Sequence, residues 1–442
     1  GADWSPAGDW IAYQQDHGGD ECYEILALPA KGGAPVNLTN TPDYSETGPV
    51  WSVDGSQLAF GVKKKTEPGH NVAVLDWRSR QIRRLTSEED QTRTWTPKAW
   101  SADGRYLFAV RDDSGHTDSE VYRIDVAKGT TENLTPHTGK VIYTLGDVSP
   151  DGSTALITSN ATDGFANLAL LEVGTKKITW VTDLRWAVSA GDFSPDGRRF
   201  TYVVNEDGRT ELYLAERATL KAGKLNFPLG VSAFAGGRTA WSPDGQKLLV
   251  SHQSSQRPAD LWLYDVKQQT ATQLTFSALA GLDPQKIPAS QLVRYRSFDG
   301  KIISAFLWVP FNLVRDGKNP GIVLPHGGPT GQTADTFNRT VAALASRGYV
   351  VIAPNVRGST GYGLAFQQAN FKDLGGGDLQ DEVFAAQFLS ATGYVDAKRV
   401  GITGGSYGGF MTLMALGKTP GVWAAGVSSY GIINWFTMLE HE

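Results

Sequence analysis

Ser406 is the residue best placed to do chemistry. It stands in Gly404-Gly405-Ser406-Tyr407-Gly408-Gly409, a Gly-x-Ser-x-Gly pattern. The β-prone run Arg399-Val400-Gly401-Ile402 leads into it, and an apolar helical run from Phe410 to Leu416 leads out. A strand–turn–helix of this kind holds a serine hydroxyl at the tip of a sharp turn. Glycines two positions to either side let neighbouring backbone approach without a Cβ in the way. The helix starts at the serine, so its first N–H groups face any oxyanion that develops nearby. The chemistry this suits is acyl transfer, with Ser406 as nucleophile and the Tyr407 N–H as one oxyanion donor. The pattern alone is cheap in a chain with 50 glycines; its surroundings give it weight.

Pro325-His326-Gly327-Gly328-Pro329 follows a buried-strand pattern upstream. Its glycines free a backbone N–H, that of Gly328 or Gly327, to act as the second oxyanion donor. His326 precedes the serine, whereas the base of such an elbow follows it, so His326 reads as structural. Asn355-Val356-Arg357-Gly358-Ser359-Thr360-Gly361-Tyr362-Gly363 is a tight loop after another strand. Arg357 there either ties the loop by hydrogen bonds or contacts a substrate carboxylate or carbonyl. Asp378 and Asp381 fall at a helix start, where acidic residues offset the macrodipole, and do not read as a catalytic pair.

These motifs sit in a region, residues 284–442, where strands and helices alternate. Strands are expected over 321–324, 349–353, 399–403 and 424–428. Helices are expected over 336–346, 378–390 and from Ser406 to about Gly417, after a hairpin that turns at Asp299-Gly300. Alternation of this kind builds a mostly parallel sheet with right-handed crossovers, and its chemistry lies at the strand ends.

Residues 1–283 are different. A turn with a leading serine and, in five of six copies, Asp-Gly recurs with its serines at 5, 52, 101, 149, 194 and 242, spacings of 47, 49, 48, 45 and 48. Trp51-Ser52-Val53-Asp54-Gly55 and Trp241-Ser242-Pro243-Asp244-Gly245 are two copies; the first reads Trp4-Ser5-Pro6-Ala7-Gly8. Each leads into an apolar strand, and several repeats close on Leu-Thr, as at Leu38-Thr39, Leu85-Thr86, Leu134-Thr135 and Leu274-Thr275. About four short strands per period predict a β-propeller of six or seven blades, with the turn aromatics packed between blades. The polar loops 16–21 and 111–116 read as solvated hairpin tips, or as walls of a central cavity that could read a peptide terminus.

The chain has 442 residues and a net charge of −5, with a pI of about 5.9. That gives no basic field for nucleic acid. A single cysteine, Cys22, rules out an internal disulfide or a cysteine zinc site. No His/Asp/Glu cluster has metal-ligand spacing, and no cofactor is called for. No apolar run is long enough for a transmembrane helix, so no membrane partner is expected. A cytoplasmic location fits, and a cysteine-poor periplasmic protein would look the same. The first residue is Gly1, not methionine, which suggests a fragment or a processed chain.

His326-Gly327-Gly328-Pro329, the Asn355–Gly363 loop and Gly404-Gly405-Ser406-Tyr407-Gly408-Gly409-Phe410 together resemble the prolyl oligopeptidase family of serine peptidases. The acylaminoacyl-peptidase branch is the most similar, with dipeptidyl peptidases close behind and some carboxypeptidases in the branch. The resemblance implies a propeller over residues 1–283 that admits short peptides, and an incomplete α/β-hydrolase domain over 284–442. It implies a Ser406 nucleophile, an oxyanion hole from Gly328 and Tyr407, no cofactor, and a homo-oligomer. An apolar substrate pocket is implied just after the next strand, where Ile432, Trp435 and Phe436 are candidates. The family's aspartate and histidine lie further downstream than residue 442, and His441 reads as a surface residue. Residues 1–442 alone are therefore expected to show no peptidase activity. A propeller-bearing esterase, or a propeller interaction module with an inactive hydrolase domain, are the alternatives.

Overall fold

The computed structural model describes residues 2–20, 22–67, 69–236, 240–279, 281 and 283–441, the last three by backbone alone. Six four-stranded antiparallel meanders occupy residues 2–37, 44–84, 93–133, 143–180, 187–224 and 231–273. They are the blades of a β-propeller, here numbered 1 to 6. The first strands of blades 1 to 5 neighbour one another in succession.

The repeated residues explain themselves in hydrogen bonds. In all six turns the serine Oγ accepts from the backbone N–H five residues on, at 2.9–3.1 Å. The same hydroxyl donates to an aspartate in the turn, at 2.5–2.7 Å. The aspartate is two residues on except in blade 1, where Asp9 takes the role. The turn is thus closed by side chains that would otherwise compete with the backbone. The turn tryptophans stitch blades together: indole N–H groups of Trp51, Trp100 and Trp241 reach the carbonyls of Asp3, Val50 and Asp192 in the preceding blade. The threonine of Leu-Thr accepts from the N–H of the third strand, at Ile25, Val72, Val121 and Leu261. Thr182 does the same in blade 4, after a valine. Blade 5 has Asn226 at that place.

The remaining strands form one six-stranded sheet. Its order is Gln291–Arg296, Ile302–Trp308, Val350–Asn355, Asn319–Val323, Val395–Gly405 and Ala425–Ser429. The first pair is an antiparallel hairpin, and pairing is parallel from Val350–Asn355 onward. Among the described residues five α-helices accompany it: α1 (Arg339–Ser346), α2 (Leu364–Gln367), α3 (Gly377–Ala391), α4 (Tyr407–Lys418) and α5 (Trp435–His441). Alternate strand residues face opposite ways. Val323, Val350, Ile352, Val400 and Ile402 pack with Leu379, Val383 and Leu389 of α3 and Met411 of α4. Val351 and Ala353 pack with Val341 of α1 on the other face. The result is a helix–sheet–helix sandwich with α4 leading straight out of the fifth strand in the order.

Two expected boundaries move. The helix expected from residue 336 begins at Arg339, because the Asn338 side chain caps it by accepting from the Thr340 and Val341 N–H groups. The strand expected over 399–403 runs from Val395 to Gly405, since its start pairs with Asn319 through a bulge. No helix among the described residues is long and apolar enough to cross a membrane.

Candidate active site

The elbow is built as a strained turn. Ser406 has φ 55° and ψ −122°, a left-handed backbone unusual for a residue with a side chain. Its N–H donates to the Ser429 carbonyl at 3.1 Å, and its carbonyl accepts from the Phe410 N–H at 3.0 Å. The flanking glycines are needed where chains cross. A Cβ on Gly408 would lie 2.4 Å from the Pro325 carbonyl oxygen, and one on Gly404 2.7 Å from Gly408. These crossings bring the His-Gly-Gly loop against the elbow; a Cβ on Gly327 would sit 3.7 Å from that of Ser406. The N–H groups of Gly328 and of Tyr407, the first helical residue, have no acceptor among the described residues. Nor does any described side chain hydrogen-bond the Ser406 hydroxyl.

Tyr407 is held from behind. Its ring lies among Phe410 and Trp435, and its phenol donates to Asp378 Oδ2 at 2.5 Å. Asn370 donates to the same oxygen at 3.4 Å. Asp378 is fully buried, so burial pushes its carboxyl above the usual range, while the Tyr407 hydroxyl works the other way. The macrodipole role expected for Asp378 and Asp381 is therefore incomplete. Both carboxyls are buried and bonded to distant side chains, and the N-cap of α3, Gly376, offers no side chain to cap it. Sequence spacing alone did not mark Asp378 as the anchor of the elbow's Tyr407.

Arg357 is buried, and all of its guanidinium nitrogens face carboxylates. Nε and Nη2 donate to Asp381, and Nη1 and Nη2 to Asp299. The plane lies over the Phe298 ring at 4.6 Å. Burial works against the charge, but the two carboxylates outweigh it and raise the pKa. Of the two roles weighed for Arg357, this arrangement favours tying the loop over meeting substrate. His326 is likewise occupied, with Nδ1 2.7 Å from the Gly327 carbonyl and Nε2 2.8 Å from Ser359 Oγ. Burial lowers its pKa, against the pull of the Gly327 carbonyl.

The three pocket candidates separate. Ile432 and Trp435 pack against the core, while Phe436 is 80% exposed. A cavity of about 350 Å³ instead lies beside the elbow, lined by His326, Thr333, Gly404, Gly405, Ser429 and Tyr430. Tyr430, at φ 41°, leans over Gly405, so that a Cβ there would lie 2.6 Å from its hydroxyl. The side chain of His441 lies outside the described residues, as does Glu21 of the loop 16–21. Among the described residues no group of three or more His, Cys, Asp or Glu could hold a metal ion.

Residues 335–442 match the model of the prolyl oligopeptidase family. The chain is 28% identical over 450 residues to dipeptidyl aminopeptidase BIII of Pseudoxanthomonas mexicana, covering 99% of this chain and 64% of that protein. It is 34% identical over 120 residues to acylamino-acid-releasing enzyme 1 of Oryza sativa subsp. japonica, covering 27% of this chain and 16% of that one. A solved structure, a puromycin-hydrolyzing peptidase of Mycobacterium tuberculosis, superposes with a TM-score of 0.83 at 22% identity, covering 98% of this chain and 69% of that one. The chain thus spans about two thirds or less of the length of these proteins. A six-bladed propeller ahead of an elbow-bearing, partial α/β-hydrolase sheet accompanies the match to the prolyl oligopeptidase family, which the chain resembles most specifically over residues 335–442.

Proposed function

We propose that this protein is a serine peptidase that cleaves short peptides near a terminus. Residues 1–283 are the gating propeller and residues 284–442 the catalytic scaffold. The observation that carries the reading is the backbone of Ser406, a left-handed serine between a strand and a helix whose first N–H has no acceptor among the described residues. Ser406 Oγ attacks the scissile carbonyl carbon and loses its proton to a base. The carbonyl oxygen becomes an oxyanion, held by the N–H groups of Gly328 and Tyr407. The amine leaves with the proton, and water then releases the acyl group from Ser406. Family members supply the base from a histidine oriented by an aspartate. His326 does not suit that role, since both its nitrogens are engaged elsewhere.

The relatives' names include dipeptidyl and acylamino-acid-releasing activities, so the released group is a dipeptide, a single residue or an N-acylated residue. The test is a fluorophosphonate probe on the intact protein, with Ser406→Ala as control. Labelling at Ser406 is expected, with turnover of peptide anilides lost by roughly 10⁴–10⁶-fold in the variant. An unlabelled Ser406 would sink the reading. Faster hydrolysis of esters than of every peptide offered would move it to an esterase.

A further inference from the structure

The tip of one propeller hairpin runs into the hydrolase domain. In blade 5 the strands Arg199–Glu206 and Arg209–Glu216 are joined by Asp207 and Gly208 alone. Asp207 is 2% exposed and adopts φ 57°. Its Oδ2 accepts from Arg294 at 2.7 Å and from Ser304 at 3.1 Å; its Oδ1 accepts from the Tyr362 hydroxyl at 2.7 Å. The three donors all belong to the hydrolase domain.

Tyr362 passes the connection on. Its oxygen accepts from Asn355 Nδ2 at 2.8 Å. Asn355 is fully buried and grips the backbone of Thr333 on both sides: Oδ1 accepts the Thr333 N–H at 2.7 Å, and Nδ2 donates to the Thr333 carbonyl at 3.0 Å. Thr333 lies on the stretch that carries Gly327 and Gly328 past Ser406. The same stretch is held twice more by the hairpin. Asn205 donates to Gln332 Oε1 at 2.6 Å, and the Asp335 N–H donates to the Gly208 carbonyl at 2.9 Å. Asp335, also buried, takes Arg209 at 2.8 Å.

We propose that the blade 5 hairpin positions the oxyanion loop, with Asp207 and Tyr362 as positioning residues that act through Asn355 and Thr333. The propeller in this reading sets the geometry of the site as well as enclosing it. This rests on the peptidase assignment above. Nothing in the relay touches the reacting atoms; it fixes a backbone donor that must meet an oxyanion to within a fraction of an ångström. Misplacement on the scale of 1 Å costs up to about 10²-fold in rate. A buried amide that grips the N–H and the C=O of one residue fixes the two peptide units on either side of it, and Asn355 is held in that setting by Tyr362.

The experiment uses Tyr362→Phe and Asp207→Asn in the intact protein, with Gln256→Ala as a control. Gln256 bonds Pro284 and Ile287 across the same junction but outside the relay. Tyr362→Phe removes one hydroxyl. We expect kcat for a peptide substrate to fall about tenfold with KM within about twofold, and Ser406 labelling to slow in step. Amide hydrogen exchange over residues 327–335 should rise in both relay variants and stay unchanged in Gln256→Ala. Unchanged exchange over 327–335 in both relay variants overturns the proposal, whatever the activity. So does a wild-type kcat in Tyr362→Phe. Raised exchange in the relay variants, with Ser406 never labelled even in the wild-type protein, would keep the mechanical link and discard the peptidase reading.

Discussion

The six blades share one framework, yet their middle hairpins divide into two sets. In blades 4, 5 and 6 the turns between second and third strands span residues 160–166, 207–208 and 255–256. All three meet the hydrolase domain. The Leu364 N–H donates to the Gly164 carbonyl, Asp207 takes three side chains, and the Ser255 N–H donates to Asp335. In blades 1, 2 and 3 the turns span 16–23, 65–70 and 114–118. Among the described residues their hydrogen bonds stay inside the propeller. His17 meets Glu24, Glu67 meets Arg84, and Thr117 meets Asp113. In blades 5 and 6, where another domain completes the polar groups, the turn is only two residues long, whereas blade 4 reaches the hydrolase domain with a seven-residue loop. A turn that completes itself carries at least five residues here.

The sharpest way to break this comparison is one methyl group placed in each set. Gly208 has φ 83°, and an added Cβ would lie 2.8 Å from both the Phe306 ring and the Thr333 carbonyl. Gly18, at φ 69° in blade 1, has nothing within 4 Å. Gly18→Ala should cost only the left-handed backbone, about 1 kcal/mol. Gly208→Ala adds a clash at a packed junction and should cost about 3 kcal/mol in all. Denaturant unfolding of the intact protein reads both. Equal losses would mean that the blade 5 tip is no more tightly held than the blade 1 tip.

The self-contained set should also carry its own pH dependence. Asp118, at the end of the blade 3 turn, accepts from Arg93 Nη2 at 2.5 Å and meets His137 Nε2 at 2.8 Å. Burial alone would raise its carboxyl, but His137 and Arg93 outweigh it and hold the pKa at about 2. A carboxylate depressed in this way stabilises the fold above its unfolded value near 4 and loses that contribution as pH falls toward 2. The amount is about 2 kcal/mol. His137 has the opposite sign. Burial lowers its pKa, but Asp118 and the Thr135 carbonyl outweigh burial, and the net value is raised. Its contribution is present below pH 6.5 and fades as pH rises through the folded value. Asp118→Asn should therefore flatten the stability curve between pH 4 and 2 and reduce the decline above 6.5. A steep acid limb left intact in the variant would locate the acid sensitivity elsewhere.

What could be read in the sequence follows the range of the hydrogen bonds involved. The Ser–Asp turns close over two to five residues, so a repeat of 45 to 49 exposed them and the propeller with them. The elbow was legible for the same reason: strand, glycines, serine and helix are contiguous. Asp207 and Tyr362 meet 155 residues apart, and nothing in Glu206-Asp207-Gly208-Arg209 distinguishes it from a solvated hairpin. Asp378 reads locally as a helix-end charge, because the partner that matters, Tyr407, is 29 residues away. Tyr430 carries no local signal, because its role depends on its packing over Gly405, 25 residues earlier in the chain. The resemblance places three apolar candidates after that strand, but a position in sequence does not say which way a side chain points.

The smallest expected effect separates the two sets at the level of single ion pairs. Arg209 and Asp335 are 23% and 4% exposed in their side chains and join the domains. The Arg209 guanidinium also lies 5.8 Å from the Phe306 ring centroid. His116 pairs with Asp112 in the blade 3 turn, with the imidazole 81% exposed. Removing Arg209 leaves a buried carboxylate short of one partner, although Ser290 and the Ser255 N–H still reach it. Arg209→Ala should cost about 1–2 kcal/mol. His116→Ala should leave Tm unchanged within error, since exposed pairs contribute little. The informative failure is on the second side. If His116→Ala destabilises as much as Arg209→Ala, the blade 3 turn is not self-contained, and some surface must cover it as the hydrolase domain covers blades 4 to 6.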